Sequence, residues 1–241
     1  MNAAGVKYVN FLPLLNPKNQ KQNMINNTPI RHICFDLDGT LVKSHITIYK
    51  TTLKALNDLN IPVDNFDEDK FYQRIGHHFE DIFEEFKIPV NDFEIFINIY
   101  KNQYFNFINE SALYNGIEET LEYLKSKNVL TSLLTTKGQE QADRIIDYFK
   151  LRKYFNLVMG RRNGIAHKPS PEPLLFICKE LNVKPEETLM VGDTELDIGC
   201  GKNAGSKTCG VTYGYRTKKA LEEKEPDLII DSIKELKNLN F

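Results

Sequence analysis

Short apolar segments that end in polar residues recur along the chain, and they constrain its fold more than any other feature. Apolar runs of this length, bounded by a polar or glycine-containing loop, are typical of strands buried inside a sheet. The first segment runs directly into the sequence Asp-Leu-Asp-Gly-Thr. We predict strands in four places: 33–37, 129–134, 188–191 and 228–230.

Helical periodicity fills the intervals between the later strands. Apolar residues spaced at i, i+3, i+4 and i+7 indicate a helix with one buried face. Two stripes follow this spacing: Ala142, Ile145, Ile146 and Phe149, and then Leu174, Cys178 and Leu181. Ser232 followed by Glu235 predicts a capping box for a last helix. Strands that alternate with helices indicate an α/β fold with a doubly wound parallel sheet.

The stretch from about residue 45 to 114 interrupts this alternation, because it is helical throughout. Its apolar residues form two stripes: Phe79, Ile82, Phe83 and Phe86, and then Phe93, Ile97, Tyr100 and Tyr104. We interpret the aromatic residues as core packing. The pattern predicts a small helical domain (45–114) inserted after the first strand of a core domain made of 30–44 and 115–241.

Residues 1–29 are rich in Asn, Gln and Lys and show little periodicity, so we expect a loosely ordered extension. Met24 is an alternative start of translation. The four cysteines show neither CxxC spacing nor a zinc-site pattern, and we expect reduced thiols. No apolar run reaches the length of a membrane span, so we expect a cytoplasmic protein without a membrane partner.

The net charge of −2 gives the chain no global field that would attract nucleic acid. A phosphorylated ligand would therefore need local positive groups. Oligomeric state is open between monomer and homodimer.

Polar side chains follow the predicted strands at the edge where parallel sheets bind ligands. The candidates are Asp36, Asp38, Thr135, Lys168, Asp193 and Asp197. Crowded carboxylates repel one another unless a cation joins them, and hard oxygen ligands suit Mg²⁺. We therefore predict a magnesium site that includes Asp36 and Asp193.

This set of side chains matches the chemistry of phosphoryl transfer. Asp36 is the candidate nucleophile, and Asp38 can protonate the leaving alkoxide and later deprotonate water. Thr135 offers a hydroxyl and neighbouring N–H groups to the phosphoryl oxygens, and Lys168 offers a positive charge. We interpret Lys137 as solvated, and the pair Arg161-Arg162 as a solvated turn.

Four short motifs, in this order, resemble those of the haloacid dehalogenase superfamily. They are Asp36-Leu37-Asp38-Gly39-Thr40-Leu41, Leu134-Thr135-Thr136-Lys137, Lys168-Pro169-Ser170-Pro171-Glu172-Pro173 and Gly192-Asp193-Thr194-Glu195-Leu196-Asp197. The resemblance covers 31–237 and implies a Rossmann-like core with a helical cap. It also implies that Mg²⁺ is held by Asp36, the main-chain carbonyl of Asp38, and Asp193, with Asp197 orienting Lys168 or a metal-bound water.

The second aspartate of the first motif favours phosphoryl transfer over dehalogenation, because dehalogenating members of the superfamily lack it. Within the superfamily the chain resembles phosphoglycolate phosphatases. That likeness rests on Arg74-Ile75-Gly76, on Tyr114-Asn115-Gly116 and on Gly210-Val211-Thr212-Tyr213-Gly214-Tyr215. Thr136 stands where many relatives carry Asn.

These resemblances imply a phosphoric monoester hydrolase that acts on a small phosphorylated metabolite, with phosphoglycolate as the first candidate. Thr136, Arg74 and His77 are candidate substrate contacts, although Arg74 could equally form a surface ion pair. Three alternatives stay open: an intramolecular phosphomutase, a pyrophosphatase, and a phosphate-binding regulator without catalysis.

Overall fold

A computed structural model describes residues 29–63 and 66–241, and its main feature is a sheet of six parallel strands. The strands in chain order are β1 (His32–Phe35), β2 (Val42–Lys43), β3 (Ala112–Leu113), β4 (Leu130–Gly138), β5 (Leu157–Arg161), β6 (Thr188–Gly192), β7 (Lys207–Val211) and β8 (Leu228–Ile230). The order in the main sheet is β5-β4-β1-β6-β7-β8. The predicted doubly wound fold is confirmed.

β1 lies in the middle of the sheet and pairs in parallel with two strands that are far away in sequence. Phe35 lies opposite Leu133 of β4 on one side and opposite Val191 of β6 on the other. The chain first builds the sheet outward through β4 and β5, and then returns to the other side of β1. The direction of winding therefore changes at β1, which is where ligands bind in sheets of this kind.

Apolar side chains cover both faces of the sheet, as parallel strands require. Ile33 and Phe35 belong to a large cluster on one face, whereas Cys34 and Met190 belong to a smaller cluster on the other. All four residues of β1 and all five of β6 are buried. This double burial explains why the first strand reads as a continuous apolar run rather than as an alternating one.

Nine α-helices accompany the strands in the part of the chain that the structure describes. They are α1 (His45–Asp58), α2 (Glu68–Arg74), α3 (Phe79–Phe86), α4 (Phe93–Tyr104), α5 (Ile117–Ser126), α6 (Gln139–Tyr148), α7 (Glu172–Glu180), α8 (Glu195–Asn203) and α9 (Lys218–Glu222). Ser232 and Glu235 form the predicted capping box. The segment that they cap, Ile233–Asn238, is a 3₁₀ helix instead of the expected α-helix.

The helices α1 to α4 form the inserted stretch, and a two-stranded ribbon connects them to the sheet. β2 and β3 pair antiparallel, with Val42 opposite Leu113, so the chain leaves and re-enters the core side by side. The domain boundaries at 45 and 114 stay predictions. The expected N-terminal extension (1–29) and Met24 lie outside the described residues, apart from Pro29.

Aromatic rings fill the interior of the inserted helices. Phe96 is fully buried, and its ring centroid lies 5.0 Å from those of both Phe79 and Phe83. The sequence-based stripe on α4 missed Phe96, because it followed Phe93 and Ile97, which are only partly buried. Packing therefore explains most of these aromatic residues. The side of α4 that carries Phe93 and Ile97 is only partly buried.

All four cysteines are buried free thiols. Across 29–63 and 66–241, every helix is too short or too polar to cross a membrane.

His32 connects the three central strands through its ring nitrogens. Nδ1 lies 3.1 Å from Thr188 Oγ1, and Nε2 lies 2.8 Å from Ser132 Oγ. The side chain is completely buried, and this burial lowers the pKa of His32 to about 4. The folded protein therefore holds a neutral imidazole at this position.

Acid should destabilise the fold through His32. In the unfolded chain the imidazole takes up a proton near its ordinary pKa of 6.5, whereas in the fold it does so only near 4. Stability is therefore lost as the pH falls through this window. Between pH 7 and pH 5 the wild-type free energy of unfolding should fall by about 1–2 kcal/mol more than that of His32→Gln. Urea denaturation at each pH measures the difference, and parallel pH profiles would contradict the prediction.

Candidate active site

The carboxyl ends of β1 and β6 bring Asp36 and Asp193 together. The Asp36 N–H donates a hydrogen bond of 2.9 Å to the Val191 carbonyl, which aligns the two strand ends. Asp197 follows in the first turn of α8. One carboxylate oxygen from each of Asp36, Asp193 and Asp197 lies within 4.8 Å of the other two, and all three residues are buried. The predicted convergence of these side chains is present.

Lys168 lies between two of these carboxylates. Its Nζ donates hydrogen bonds of 2.6 Å to Asp36 Oδ1 and 2.6 Å to Asp197 Oδ1, and a third of 3.1 Å to the Leu134 carbonyl. The Lys168 side chain is only 3% exposed. All three ammonium protons are thus used by the site, and Asp197 holds the position of Lys168.

Asp193 is fixed by donors from two other segments. Thr40 Oγ1 donates to Asp193 Oδ1 at 3.2 Å, and the Tyr215 N–H donates to Oδ2 at 2.8 Å. Glycines allow this close approach, because a Cβ on Gly39 or Gly214 would lie 2.2 Å from an atom of the Asp193 side chain. Gly39 also has φ +87°, a conformation that glycine adopts most readily. The segment 210–215, noted in the sequence, therefore packs against the acidic cluster.

Asp197 also caps its own helix. Its Oδ2 accepts hydrogen bonds from the Thr194 N–H (3.0 Å) and the Thr194 hydroxyl (2.6 Å). Gly192 has no side chain, and a Cβ there would lie 2.1 Å from Asp197 Cγ. Asp197 is thus rigidly placed for its contact with Lys168.

Burial makes the negative charge of this cluster unfavourable. Burial raises the pKa of Asp36 to about 7. The positive charge of Lys168 opposes this rise, whereas the negative charges of Asp197 and Asp38 add to it. Burial and the charges of Asp36 and Asp197 raise the pKa of Asp193 well above its ordinary value. Burial acts to lower the pKa of Lys168, but the two adjacent carboxylates outweigh it and raise the pKa.

The residues present fit a divalent cation. Three buried carboxylates share one ammonium group, so the cluster carries an excess of negative charge. Uncompensated buried charge is costly, and hard carboxylate oxygens suit Mg²⁺. Asp36 and Asp193 are the side chains that would hold the ion, because Asp197 already accepts three hydrogen bonds, one from Lys168 and two from Thr194.

Asp38 lies apart from this cluster and is held by different groups. Ser44 Oγ donates to Asp38 Oδ1, and Lys137 Nζ lies 3.1 Å from Asp38 Oδ2. Lys137 also lies over the ring of Tyr104, 4.7 Å from its centroid. The interpretation of Lys137 as solvated is wrong, since its side chain is only 9% exposed. The signal in the sequence was its place as the last residue of the motif Leu134-Thr135-Thr136-Lys137.

Thr135 and Thr136 end the buried part of β4. Thr135 is buried, and its Oγ1 accepts a hydrogen bond of 3.3 Å from the Lys137 N–H. Thr136 is partly exposed and lines the cavity described next. Both residues thus lie at the strand end where the sequence predicted them, beside Lys168.

A cavity of about 750 Å³ lies between the strand ends and the inserted helices. Its floor carries Asp36, Asp38 and Lys168, and its apolar wall comes from the inserted helices. Those apolar residues are Ile48, Phe71, Ile75, Phe79, Ile82, Phe93 and Ile97. The cavity gives the acidic cluster room for a ligand.

Two of the candidate substrate contacts, Arg74 and His77, are paired with glutamate side chains. Arg74 Nε lies 2.9 Å from Glu85 Oε2, and the described residues that line the cavity do not include Arg74. His77 does line the cavity, but its Nε2 lies 2.7 Å from Glu195 Oε1. Glu195 also accepts a 2.8 Å hydrogen bond from Arg216 Nε. Arg74 is therefore a surface ion-pair residue, and His77 links the inserted helices to α8.

A family model described as haloacid dehalogenase-like hydrolase matches residues 33–211. The chain belongs to this family. The matched range includes the acidic cluster, Lys168 and the inserted helices, so the haloacid dehalogenase-like assignment and the geometry of the site agree.

Curated relatives of this haloacid dehalogenase-like hydrolase carry two different names. A pyrophosphatase PpaX from Bacillus mycoides is 32% identical over 86% of this chain and 95% of its own length. A phosphoglycolate phosphatase from Aquifex aeolicus is 35% identical over 77% of this chain and 86% of its own.

A solved structure has the same fold. It is the crystal structure of a predicted phosphatase from Clostridium acetobutylicum, which is 29% identical and has a TM-score of 0.76. The match covers 88% of this chain and 98% of that one.

Mg²⁺ should stabilise the protein through Asp193. An ion that binds the folded state at about 100 times its dissociation constant adds about 2.7 kcal/mol of stability, which raises the melting temperature by several degrees. Asp193→Asn should lose this Mg²⁺-dependent rise, whereas Asp81→Asn, a change at an exposed residue of α3, should keep it. Thermal unfolding with and without Mg²⁺ measures the effect. A full rise in Asp193→Asn would contradict the assignment.

Proposed function

We propose that this haloacid dehalogenase-like hydrolase is a Mg²⁺-dependent phosphatase, which hydrolyses a small phosphate monoester through an aspartyl-phosphate intermediate. The main support is the placement of Lys168 between Asp36 and Asp197, beside Asp193, on the floor of a cavity. A buried carboxylate with its charge partly compensated can act as a nucleophile in such a place. Mg²⁺, when bound, would offset the negative charge shared by the carboxylates and the substrate phosphate.

Asp36 attacks phosphorus in the first step. Lys168 occupies Oδ1 of Asp36, so Oδ2 is the oxygen left to form the new bond. The bond between phosphorus and the alcohol oxygen breaks at the same time. The Thr135 hydroxyl donates a hydrogen bond to the transferring group. The positive charge of Lys168 offsets the negative charge that accumulates there.

Asp38 moves the proton in both steps. It protonates the leaving alkoxide in the first step, and in the second it takes a proton from the water that attacks phosphorus. The second step releases inorganic phosphate and restores the Asp36 carboxylate. Ser44 and Lys137 hold the two oxygens of Asp38, and this fixes the direction in which the proton is delivered.

The names of the relatives provide the first substrates to test. Phosphoglycolate is the first ester to test, because three segments of the sequence resemble phosphoglycolate phosphatases and relatives with that name align over most of this chain. Pyrophosphate is the second, because other relatives are named for it. Both are small phosphorylated metabolites and fit easily into the cavity.

Replacing the nucleophile should abolish turnover. Asp36→Asn should lower kcat for phosphoglycolate or p-nitrophenyl phosphate by at least about a thousandfold, because the amide cannot form the acyl phosphate. The release of inorganic phosphate in the presence of Mg²⁺ is the measurement, and it also separates hydrolysis from an isomerase reaction. Asp81→Asn is the matched control. Wild-type rates in Asp36→Asn would disprove the mechanism.

Removing Lys137 should slow the reaction through Asp38. Lys137→Met deletes the positive charge beside the proton-transfer group and should lower kcat about ten- to a hundredfold. The exposed Lys125 gives the control variant Lys125→Met, which should keep wild-type kcat. Steady-state kinetics with one ester measure both. An unchanged kcat in Lys137→Met would show that Lys137 has no part in the chemistry.

A further inference from the structure

Arg161 and Arg162 lie at the carboxyl end of β5, where both line the cavity. The sequence-based interpretation of this pair as a solvated turn is compatible with the structure, since Arg161 is exposed and Arg162 is partly exposed. Both residues also border a space that can hold a ligand. Neither arginine takes part in the proposed chemistry at Asp36.

The two guanidinium groups have neutral neighbours. Arg161 Nε lies 3.3 Å from His167 Nε2, and Arg162 Nε donates to Gln139 Oε1 at 3.3 Å. Burial and the charge of Arg161 lower the pKa of His167, so its ring accepts this hydrogen bond in the neutral form. Within 29–63 and 66–241, no carboxylate oxygen lies within 4.0 Å of a side-chain nitrogen of either arginine.

A third positive group reaches the same region from the inserted helices. Lys101 of α4 lines the cavity, and its Nζ lies 3.9 Å from the position that a Cβ on Gly138 would occupy. Gly138 pairs with Arg161 across the β4–β5 ladder. Glu80 and Glu94 also line the cavity, but among the described contacts neither forms an ion pair with these three groups. The positive charge is therefore available to a ligand.

The arginine pair enters the cavity from a different strand than Asp36 does. β5 is two positions from β1 in the sheet, and neighbouring strands are ~4.8 Å apart, so the two strand ends are separated by roughly 10 Å. In the proposed reaction, Lys168 and Thr135 already serve the transferring phosphoryl group, and Thr136 lines the cavity beside Lys168. The arginines would instead meet the far end of the leaving group.

The size of the cavity also indicates a leaving group longer than glycolate. Phosphoglycolate has about nine non-hydrogen atoms. At no more than ~30 Å³ each, the share of a water molecule, they fill roughly a third of the space. A volume of about 750 Å³ is in the range that encloses much larger ligands. The apolar wall formed by Phe93 and Ile97 suits a carbon skeleton between two charged ends.

We propose that Arg161, Arg162 and Lys101 form a subsite for a second anionic group on the leaving group of the substrate. This inference rests on the proposed phosphatase function. It extends the substrate class from phosphoglycolate to phosphate monoesters with a longer alcohol that ends in a carboxylate or a second phosphate. Guanidinium groups bind such anions through charge-assisted hydrogen bonds.

Two matched esters test the subsite by turnover. Phenyl phosphate and 4-carboxyphenyl phosphate differ only by the distal carboxylate. In buffer with Mg²⁺, the wild type should prefer the carboxylated ester at least about fivefold in kcat/KM, the size expected for a solvent-accessible ion pair. In Arg161→Ala/Arg162→Ala and in Lys101→Ala this ratio should move towards one. Equal kcat/KM for the two esters in the wild type would overturn the proposal.

Arg31 provides the control for a general loss of positive charge. It precedes β1, at the amino end of the strand and so on the side of the sheet away from the cavity. Its side chain is 59% exposed, and its Nη1 atom lies 3.6 Å from Glu187 Oε1. Arg31→Ala should keep the wild-type ratio. If it lowers the ratio as much as the double variant does, the preference comes from overall charge and the subsite is disproved. Should the double variant fold poorly, Arg162→Gln alone must still lower the ratio.

Two phosphonates separate the subsite from the chemistry. Benzylphosphonate and 4-carboxybenzylphosphonate cannot be hydrolysed, and their dissociation constants are measured by calorimetry with the wild type and the same variants. Tighter binding of the carboxylated compound in the wild type, lost in Arg161→Ala/Arg162→Ala, supports the subsite even if neither ester is turned over. If phosphoglycolate and p-nitrophenyl phosphate are not hydrolysed either, the proposed phosphatase function fails while the subsite stands. Equal binding of both phosphonates would disprove the subsite.

Discussion

The ammonium group of Lys168, held between Asp36 and Asp197, is the interaction on which the rest of the site depends. Without it the end of the sheet would concentrate buried carboxylates with no positive group among them, and such charge is strongly destabilising. With it, the cluster keeps enough negative charge to attract a divalent cation, and Asp36 still lines the cavity. In the proposed mechanism, stability and chemistry thus depend on the same contact.

Close packing at the strand ends makes this arrangement rigid. Asp193 accepts hydrogen bonds from Thr40 and Tyr215, and Asp197 accepts two from Thr194. A Cβ at any of three glycine positions (Gly39, Gly192 and Gly214) would collide with one of these two aspartates. The glycines thus allow the loops to lie directly against the carboxylates, which excludes space for rearrangement. Preorganisation of this kind favours fast chemistry, because little has to move when charge develops.

The inserted helices and the loop after β5 define what the cavity accepts. The core supplies the floor with its charged groups, whereas α3 and α4 supply an apolar wall, and Arg161, Arg162 and Lys101 supply distal positive charge. Ser44, at the start of α1, and Lys137, at the end of β4, both contact Asp38. In the proposed mechanism, selectivity and proton transfer therefore depend on the junction between the insertion and the sheet, where His77 and Glu195 also meet.

The sequence by itself determined the parallel sheet, the helical insertion and the convergence of Asp36, Asp193, Asp197 and Lys168. Buried strands show as apolar runs, and the polar residues that follow them must meet at one edge of the sheet. Only the tertiary structure decided which remaining polar side chains face the cavity. It placed Lys137 and Arg161 beside the site and paired Arg74 with Glu85, because the direction of a long side chain depends on partners distant in sequence.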